Sequence, residues 1–402
     1  MTYRRTNTTR QRGQILPVFA VLLPVLILFS GLGIDVGLAY VSRATLSKAV
    51  DAACLAGMRN LNKGQSQAAA LAQDAFSLNY KTSSRDANAP AFAMNFTTDA
   101  NGDPVVTVNA TATIKTFFMR MLPQYKTLQV SANAQATRPK LIMSLVLDRS
   151  GSMNLNGGAQ ALPPAVQTFI DMFDDSLDHV AMVSFSSIPT VDVPIRTYFQ
   201  LPIINAANAM KFGGATFAQG GLLDAQAQIN SVPATGNVIK VAVFFTDGWA
   251  NTNQDTLSCG SAQTLLNYGG CSPPEAAVGW CGPGFAFMNP STGSQVSCGA
   301  TQFYSQQYKM METLNIANIS NDALYRAIQL SNQMRAQGIV VYSIGLGDKI
   351  SQTFLQQIAN DPNSPTFDPT QPVGEAVFAP TANDLQGVFQ TIASKILLRL
   401  TQ

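Results

Sequence analysis

The pattern of apolar and polar positions changes character three times along the chain. From Ile15 to Ile34 no residue is charged. About 20 such residues make a helix of roughly 30 Å, the thickness of a bilayer's hydrocarbon core, so residues 14–38 read as a transmembrane anchor. Between 39 and 80, apolar and small residues recur at helical spacing (Leu46, Ala49, Val50, Ala53, Cys54, Gly57). That predicts an amphipathic helix with a break near "LNKG". From Ala91 the period drops to two. "FAMNFTTDANGDPVVTVNATATI" reads as strand, turn, strand, and "LQVSANAQATR" as a further strand. Residues 39–137 thus predict a helix feeding a small antiparallel sheet.

Beyond Arg138-Pro139-Lys140 the pattern changes again. Near-continuous apolar strands at 141–147, "HVAMVSFSS", 238–246, "GIVVYSIGLG" and "AVFAP" alternate with helical stretches. The helices fall at about 159–175, 217–230, 321–337, "SQTFLQQIAN" and 381–400. Strands apolar on both sides need both faces covered, so 138–402 predicts an α/β domain built on a doubly wound, mostly parallel sheet. Residues at about 251–316 break the alternation and read as a loop-like insertion on one βα connection.

Charge decides orientation and compartment. Residues 1–13 carry Arg4, Arg5, Arg10 and Arg12 and no acid, which places that end in the cytoplasm and everything after about residue 38 outside. A cleaved secretory signal is the rival reading, but no small-residue cleavage site closely follows the apolar run. Asp35, at the outer end of that run, is expected either to reach headgroup water or to meet a partner helix. Net charge is +2, with 46% hydrophobic and 12% charged residues among 402. No basic cluster lies beyond the N-terminus, so nucleic acid is set aside as a partner, and long disorder is excluded. Cys259, Cys271, Cys281 and Cys298 lie in the Gly/Pro/Ser-rich insertion. They predict two disulfides of open pairing. Without a C-x-x-C spacing, zinc is not indicated. Cys54 reads as a small apolar residue on the N-terminal helix.

The candidate chemistry lies where strands end. In "LVLDRSGSMN" an apolar strand stops on Asp148, followed by Ser150 and Ser152. Thr216 lies among glycines in "FGGATFAQGG", ahead of a helix, and Asp247 ends "VAVFFTDG". Ligands of such sheets bind beyond the carboxyl ends of the strands. Two carboxylates and three hydroxyls are hard oxygen donors suited to Mg²⁺, or Mn²⁺ or Ca²⁺, with a position open for an external carboxylate. For Asp148-x-Ser150-x-Ser152 alone, simple turn chemistry is the alternative. Asp99-x-Asn101-x-Asp103 is read as a hairpin turn, since no acid follows at the far end of a calcium loop. The single histidine, His179, begins a strand and reads as structural. No Walker loop occurs, "GGATFAQGG" lacking the lysine, so the chain is not read as an enzyme.

Asp148-x-Ser150-x-Ser152, the distant Thr216 and Asp247-Gly248 together resemble the metal-ion-dependent adhesion site of von Willebrand factor type A domains, a likeness covering about 138–402. The resemblance implies that Ser150, Ser152 and Thr216 ligate Mg²⁺. It implies that Asp148 and Asp247 hold the ion directly or through water, and that a partner's acidic residue completes the shell. The N-terminal part is similar to a second family. Arg12-Gly13 before an apolar segment, then Gly33-x-Asp35-Val36-Gly37, then a helix ending Asp51-Ala-Ala-x-Leu-Ala-Gly57, resembles the TadE/TadG-like proteins of bacterial Tad (Flp-type) pilus assembly. That likeness implies a single-pass protein of the bacterial inner membrane. Its N-terminus would be cytoplasmic, its stem (39–137) small and pilin-like, and its main domain periplasmic. The implied partners are pilus subunits or other anchored assembly proteins. Pilin-type processing after Gly13 would want a glutamate where Val18 stands, which favours a retained anchor. The expected function is non-enzymatic assembly or adhesion. The alternative is a released or pilus-associated surface adhesin using the same metal site.

Overall fold

The computed structural model describes residues 15–100, 102–155, 157–233, 236–269 and 286–400. Two compact units, Met1–Thr137 and Arg138–Gln402, make up the chain.

In the first unit the apolar run and the amphipathic stretch form one uninterrupted helix, α1 (Ile15–Arg59), although Pro24 lies inside it. Its first half exposes Val18, Phe19, Val21, Leu26 and Phe29, and it is long and apolar enough to cross a membrane. Its second half buries Leu46, Ala49, Val50, Ala53, Cys54 and Met58. The chain reverses at "LNKG", through a 3₁₀ turn at Leu61–Lys63 and Gly64 at φ +92°, a left-handed value that favours glycine. Helix α2 (Gln65–Asn79) then packs back with Ala72 and Phe76. Strands β1 (Ala91–Thr98), β2 (Pro104–Lys115) and β3 (Thr127–Thr137) form an antiparallel sheet in the order β1-β2-β3. Val106, Val108, Ala110, Ala112 and Ile114 of the central strand face the helices, as alternation on a one-sided sheet requires. The β1–β2 connection is a turn in which Asp99 accepts the Asp103 backbone N–H at 2.9 Å; Asn101 lies outside the described residues.

Asp35 departs from both expectations. It is 3% exposed, and its carboxylate accepts the backbone N–H groups of Phe117 (2.8 Å), Phe118 (2.9 Å) and Met119 (2.7 Å). The ladder of β2 has ended there, and three consecutive N–H groups without strand partners need an acceptor.

The second unit is a three-layer α/β/α domain. Its strands are β4 (Lys140–Asp148), β5 (His179–Phe185), β6 (Pro189–Arg196), β7 (Val238–Thr246), β14 (Ile339–Leu346) and β15 (Ala376–Ala379). The sheet order is β15-β14-β7-β4-β5-β6, and every neighbouring pair is parallel except β5–β6. Alternate residues of each strand go to opposite faces. Leu145, Leu147, Val243, Phe245, Tyr342 and Ile344 pack under α3 (Gly158–Ile170), α4 (Gln200–Ala209) and α8 (Leu385–Arg399). Val146, Phe185, Phe244 and Val341 pack under α5 (Ala218–Ser231), α6 (Ile316–Ala336) and α7 (Gln352–Ala359).

The insertion is not loop-like. Strands β8 (Thr252–Ser258), β9 (Ala262–Tyr268), β10 (Ala286–Met288) and β11 (Gln295–Val296) form a four-stranded antiparallel sheet, and β12 (Gln302–Ser305) and β13 (Met310–Thr313) a hairpin. Leu257, Leu265, Phe287, Phe303, Leu314 and Ile319 give it a core of its own. Cys259 and Cys298 are joined in one disulfide beside that core. Cys271 and Cys281, for which a second bridge was expected, lie outside the described residues. Asp322 of α6, fully buried, fastens the insertion to the domain. Its carboxylate accepts from Asn253 Nδ2 (2.9 Å), the Gln306 N–H (2.6 Å) and the Arg326 Nε–H (2.5 Å).

Candidate functional site

Sheet register decides what meets at the strand ends. Leu147 of β4 pairs with Phe245 of β7, and Asp148 with Phe185 of β5, so Asp148 is level with Thr246. Asp148 is wholly buried. Its Oδ1 accepts the Ser150 backbone N–H (2.7 Å), and its Oδ2 accepts the Thr246 hydroxyl (2.5 Å). Burial pushes the Asp148 carboxyl up to about 6, against the opposing pull of these hydrogen bonds and of Arg149. The Arg149 side chain is drawn toward the β5–β6 edge, where Nε donates to Ser184 Oγ (3.0 Å) and a terminal nitrogen to Thr190 Oγ1 (3.2 Å).

The three loops are stitched together by their backbones. Gly151 N–H donates to the Gly214 carbonyl (3.1 Å), and Gly213 N–H to the Arg149 carbonyl (2.8 Å). Phe217 N–H donates to the Ser186 carbonyl (2.9 Å), and Ala215 N–H to Ser187 Oγ (3.1 Å). Gly214 has φ +90°, and a Cβ there would stand 2.7 Å from Ser187 Oγ; conformation and space both require glycine. Ser150 Oγ lies 3.1 Å from Ser152 Oγ, and Ser152 Oγ donates to Asp247 Oδ1 at 2.7 Å. Asp247 is fully buried, Ser150 and Thr216 are buried, and Ser152 is half-buried. Among the described residues no group of three or more His, Cys, Asp and Glu side chains is placed to hold a metal, so any cation here depends on the hydroxyls. Neighbouring ligands of an octahedral ion with bonds near 2.1 Å stand about 3 Å apart. The Ser150–Ser152–Asp247 oxygen row has that spacing, and its donor chemistry fits Mg²⁺.

Thr216 is anchored by a residue that the motif does not contain. Its backbone N–H donates to Asn251 Oδ1 (2.8 Å), and its carbonyl accepts the Asn251 N–H (3.1 Å). Leu266 and Met288 of the insertion pack with Ala215 and Phe217 on either side of it. Asn251, Thr246 and Ser187 therefore position the site, and none was singled out from sequence. The parity of β7 was the available signal for Thr246, since Thr246 interrupts the apolar run "VAVFF" just before Asp247.

Residues 143–265 match the family model described as von Willebrand factor type A domain, and residues 13–60 match the one described as putative Flp pilus-assembly TadE/G-like. A TadE/G-like segment and a von Willebrand factor type A domain share this chain. All five candidate ligands fall inside the von Willebrand A match. No curated protein matches the sequence. Among solved structures, the von Willebrand factor domain of the type V pili tip protein Mfa5 from Porphyromonas gingivalis aligns at 14% identity and TM-score 0.44, over 66% of this chain and 97% of that one. The PilB minor pilin from Streptococcus sanguinis aligns at 14% identity and TM-score 0.43, over 77% and 79%. Proximal thread matrix protein 1 from the mussel byssus, with a zinc-occupied MIDAS motif, aligns at 16% identity and TM-score 0.38; this chain spans 46% of it.

Proposed function

We propose that the protein is a membrane-anchored, non-enzymatic component of pilus assembly or pilus-associated adhesion. Its von Willebrand A domain grips an acidic side chain of a protein partner through Mg²⁺. The observation that carries this reading is the row of Ser150, Ser152 and Asp247 oxygens at cis-octahedral spacing, with Asp148 bonded to the Ser150 N–H and the loop of Thr216 joined to the same turn through Gly151 and Gly214. Such an ion supplies a hard Lewis acid that an external carboxylate can complete. The protein's part is to hold two carboxylates and three hydroxyls in fixed loops. Two carboxylates balance a divalent charge, so one further acidic group from a partner meets no excess of negative charge.

A hydrolytic role finds no support in the placement of the sole histidine. His179 opens β5, and the site lies at the far end of that strand, roughly 20 Å away at strand rise. In this reading α1 spans the inner membrane as a single pass with the arginine-bearing terminus in the cytoplasm, and the von Willebrand A domain is periplasmic.

The test is calorimetric titration of Mg²⁺ and Mn²⁺ into the full chain in detergent, wild type against Asp148→Ala. Binding by the wild type and none by a folded variant is the expected result. If the wild type takes up neither cation, the row is turn chemistry alone and the adhesion reading fails.

A further inference from the structure

The connection between β2 and β3, residues 116–126, has a composition unlike that of a soluble turn. It reads "TFFMRMLPQYK", eleven residues where antiparallel neighbours need two to five. Phe117 is 59% exposed and Met121 79%, and Phe118, Leu122 and Tyr125 are exposed as well. The only charges are Arg120 and Lys126, both cationic and both exposed. Aromatic, aliphatic and cationic side chains presented together mark segments that lie at a membrane interface.

The backbone is prepared for low polarity. Phe117, Phe118 and Met119 give their N–H groups to Asp35. Met121 donates to the Phe118 carbonyl, Leu122 to Met119, Tyr125 to Leu122 and Thr116 to Lys126. Pro123 has no N–H. Seven of the ten N–H groups of the connection are thus bonded within the protein, which lowers the cost of placing irregular backbone at a lipid boundary.

Depth is fixed from α1. Asp35 directly follows the uncharged run, so the connection is pinned at the end of the helix's apolar surface. Phe118 reaches further. A Cβ on Gly31 would stand 2.5 Å from Phe118 Cβ, so the ring occupies space that only glycine leaves free, one helical turn into the run. Leu23, Leu26, Ile27, Ser30, Ile34 and Phe118 line an open groove of about 380 Å³ there.

We propose that residues 116–126 are a second membrane element. Phe117, Phe118, Met121 and Leu122 enter the headgroup–acyl boundary of the outer leaflet, Arg120 and Lys126 meet lipid phosphates, and Asp35 is the fastening that sets the depth. The inference rests on the reading of α1 as a bilayer span. The occupant is lipid because the exposed apolar surface of the connection continues that of the span without a break, and its charges match anionic headgroups.

The experiment uses the full chain in liposomes containing anionic lipid, with bromine placed either shallow or deep on the acyl chains. Both native tryptophans, Trp249 and Trp280, lie beyond residue 138, so the wild type gives the background. Met121→Trp and Leu26→Trp are compared with it. The expected result is strong quenching of both, by shallow bromine at 121 and deep bromine at 26. Asp35→Ala in the Met121→Trp chain is expected to cut quenching several-fold while leaving that at 26 in its own chain unchanged. Quenching at 26 without quenching at 121 overturns the proposal and leaves the span reading intact, whether the emission at 121 is water-like or buried against a second copy. If neither site is quenched, the span itself is wrong.

Discussion

Asn251 Oδ1 accepts the Thr216 backbone N–H at 2.8 Å while the Asn251 N–H is donated to the Thr216 carbonyl at 3.1 Å. One side chain thus ties the Thr216 loop to the chain leaving Asp247. Asn251 is also the last residue before β8, so the insertion begins at the clamp on a candidate ligand.

Replacing Asn251 by Ala removes the acceptor and leaves the Thr216 N–H without its partner. Residues that orient metal ligands typically account for 10–100-fold in affinity, and a lost buried hydrogen bond costs about 1–3 kcal/mol. Asn251→Ala is expected to weaken Mg²⁺ binding about tenfold or more, with the chain still folded. Asn251→Asp keeps an acceptor and should weaken it less. Calorimetry on the three proteins checks the order, and equal affinity for all three would remove Asn251 from the site.

Much of this was readable from sequence because parallel strands buried on both faces leave an unmistakable apolar signature. Asp148 and Asp247 stand out as the carboxylates that end two such strands. The clamp was not readable. Asn251 lies in a stretch without periodicity, and its role arises from a contact 35 residues away in sequence. The insertion misled for a related reason. Its Gly, Pro and Ser content suggests loops, but Leu257, Leu265, Phe287 and Phe303 lie on short antiparallel strands whose pattern is only two to seven residues long. Asp35 was misjudged because its partners are backbone N–H groups more than 80 residues away, and no side-chain pattern announces them.

The disulfide Cys259–Cys298 closes a loop with a sequence separation of 39. A cross-link over such a loop stabilises by about 2–4 kcal/mol, mainly by restricting the unfolded chain. The double variant Cys259→Ser/Cys298→Ser is expected to lower the denaturant midpoint of the full chain in detergent accordingly. Because Leu266 and Met288 pack against the Thr216 loop, Mg²⁺ binding should weaken in the same variant. Unchanged affinity together with a lowered midpoint would show that the insertion and the site are energetically separate.

Tyr80 donates its hydroxyl to Asp86 Oδ1 at 2.8 Å. Burial, followed by this carboxylate, pushes the phenol up to about 12. A phenol in the unfolded chain ionises near pH 10. With the folded value higher, the folded state holds the proton more tightly. The contribution of this group is therefore complete below pH 10 and is lost as pH rises from 10 to 12. A tyrosinate absorbance titration of the full chain in detergent, with Tyr80→Phe as reference, should show one phenol ionising late. The wild type should also lose stability more steeply than the variant across that window.

The sharpest energetic prediction concerns Arg138 and Asp178, at the start of the second unit. The pair is bidentate, with Nη1 to Oδ1 at 2.8 Å and Nη2 to Oδ2 at 2.7 Å, and both residues are buried. Asp178 Oδ2 also accepts the Asp174 backbone N–H at 2.9 Å, so it has a turn to hold as well as a charge to balance. Breaking a buried pair from one side strands the other charge and typically costs about 3–5 kcal/mol, whereas replacing both by apolar groups is often neutral. Arg138→Met and Asp178→Leu are each expected to destabilise the folded chain by that amount. The double variant should fall well short of the sum, by a coupling of a few kcal/mol. It will not return to wild type, because the Asp174 N–H stays without its acceptor. Strict additivity in a double-mutant cycle of denaturant midpoints would mean that the two charges are solvated rather than paired.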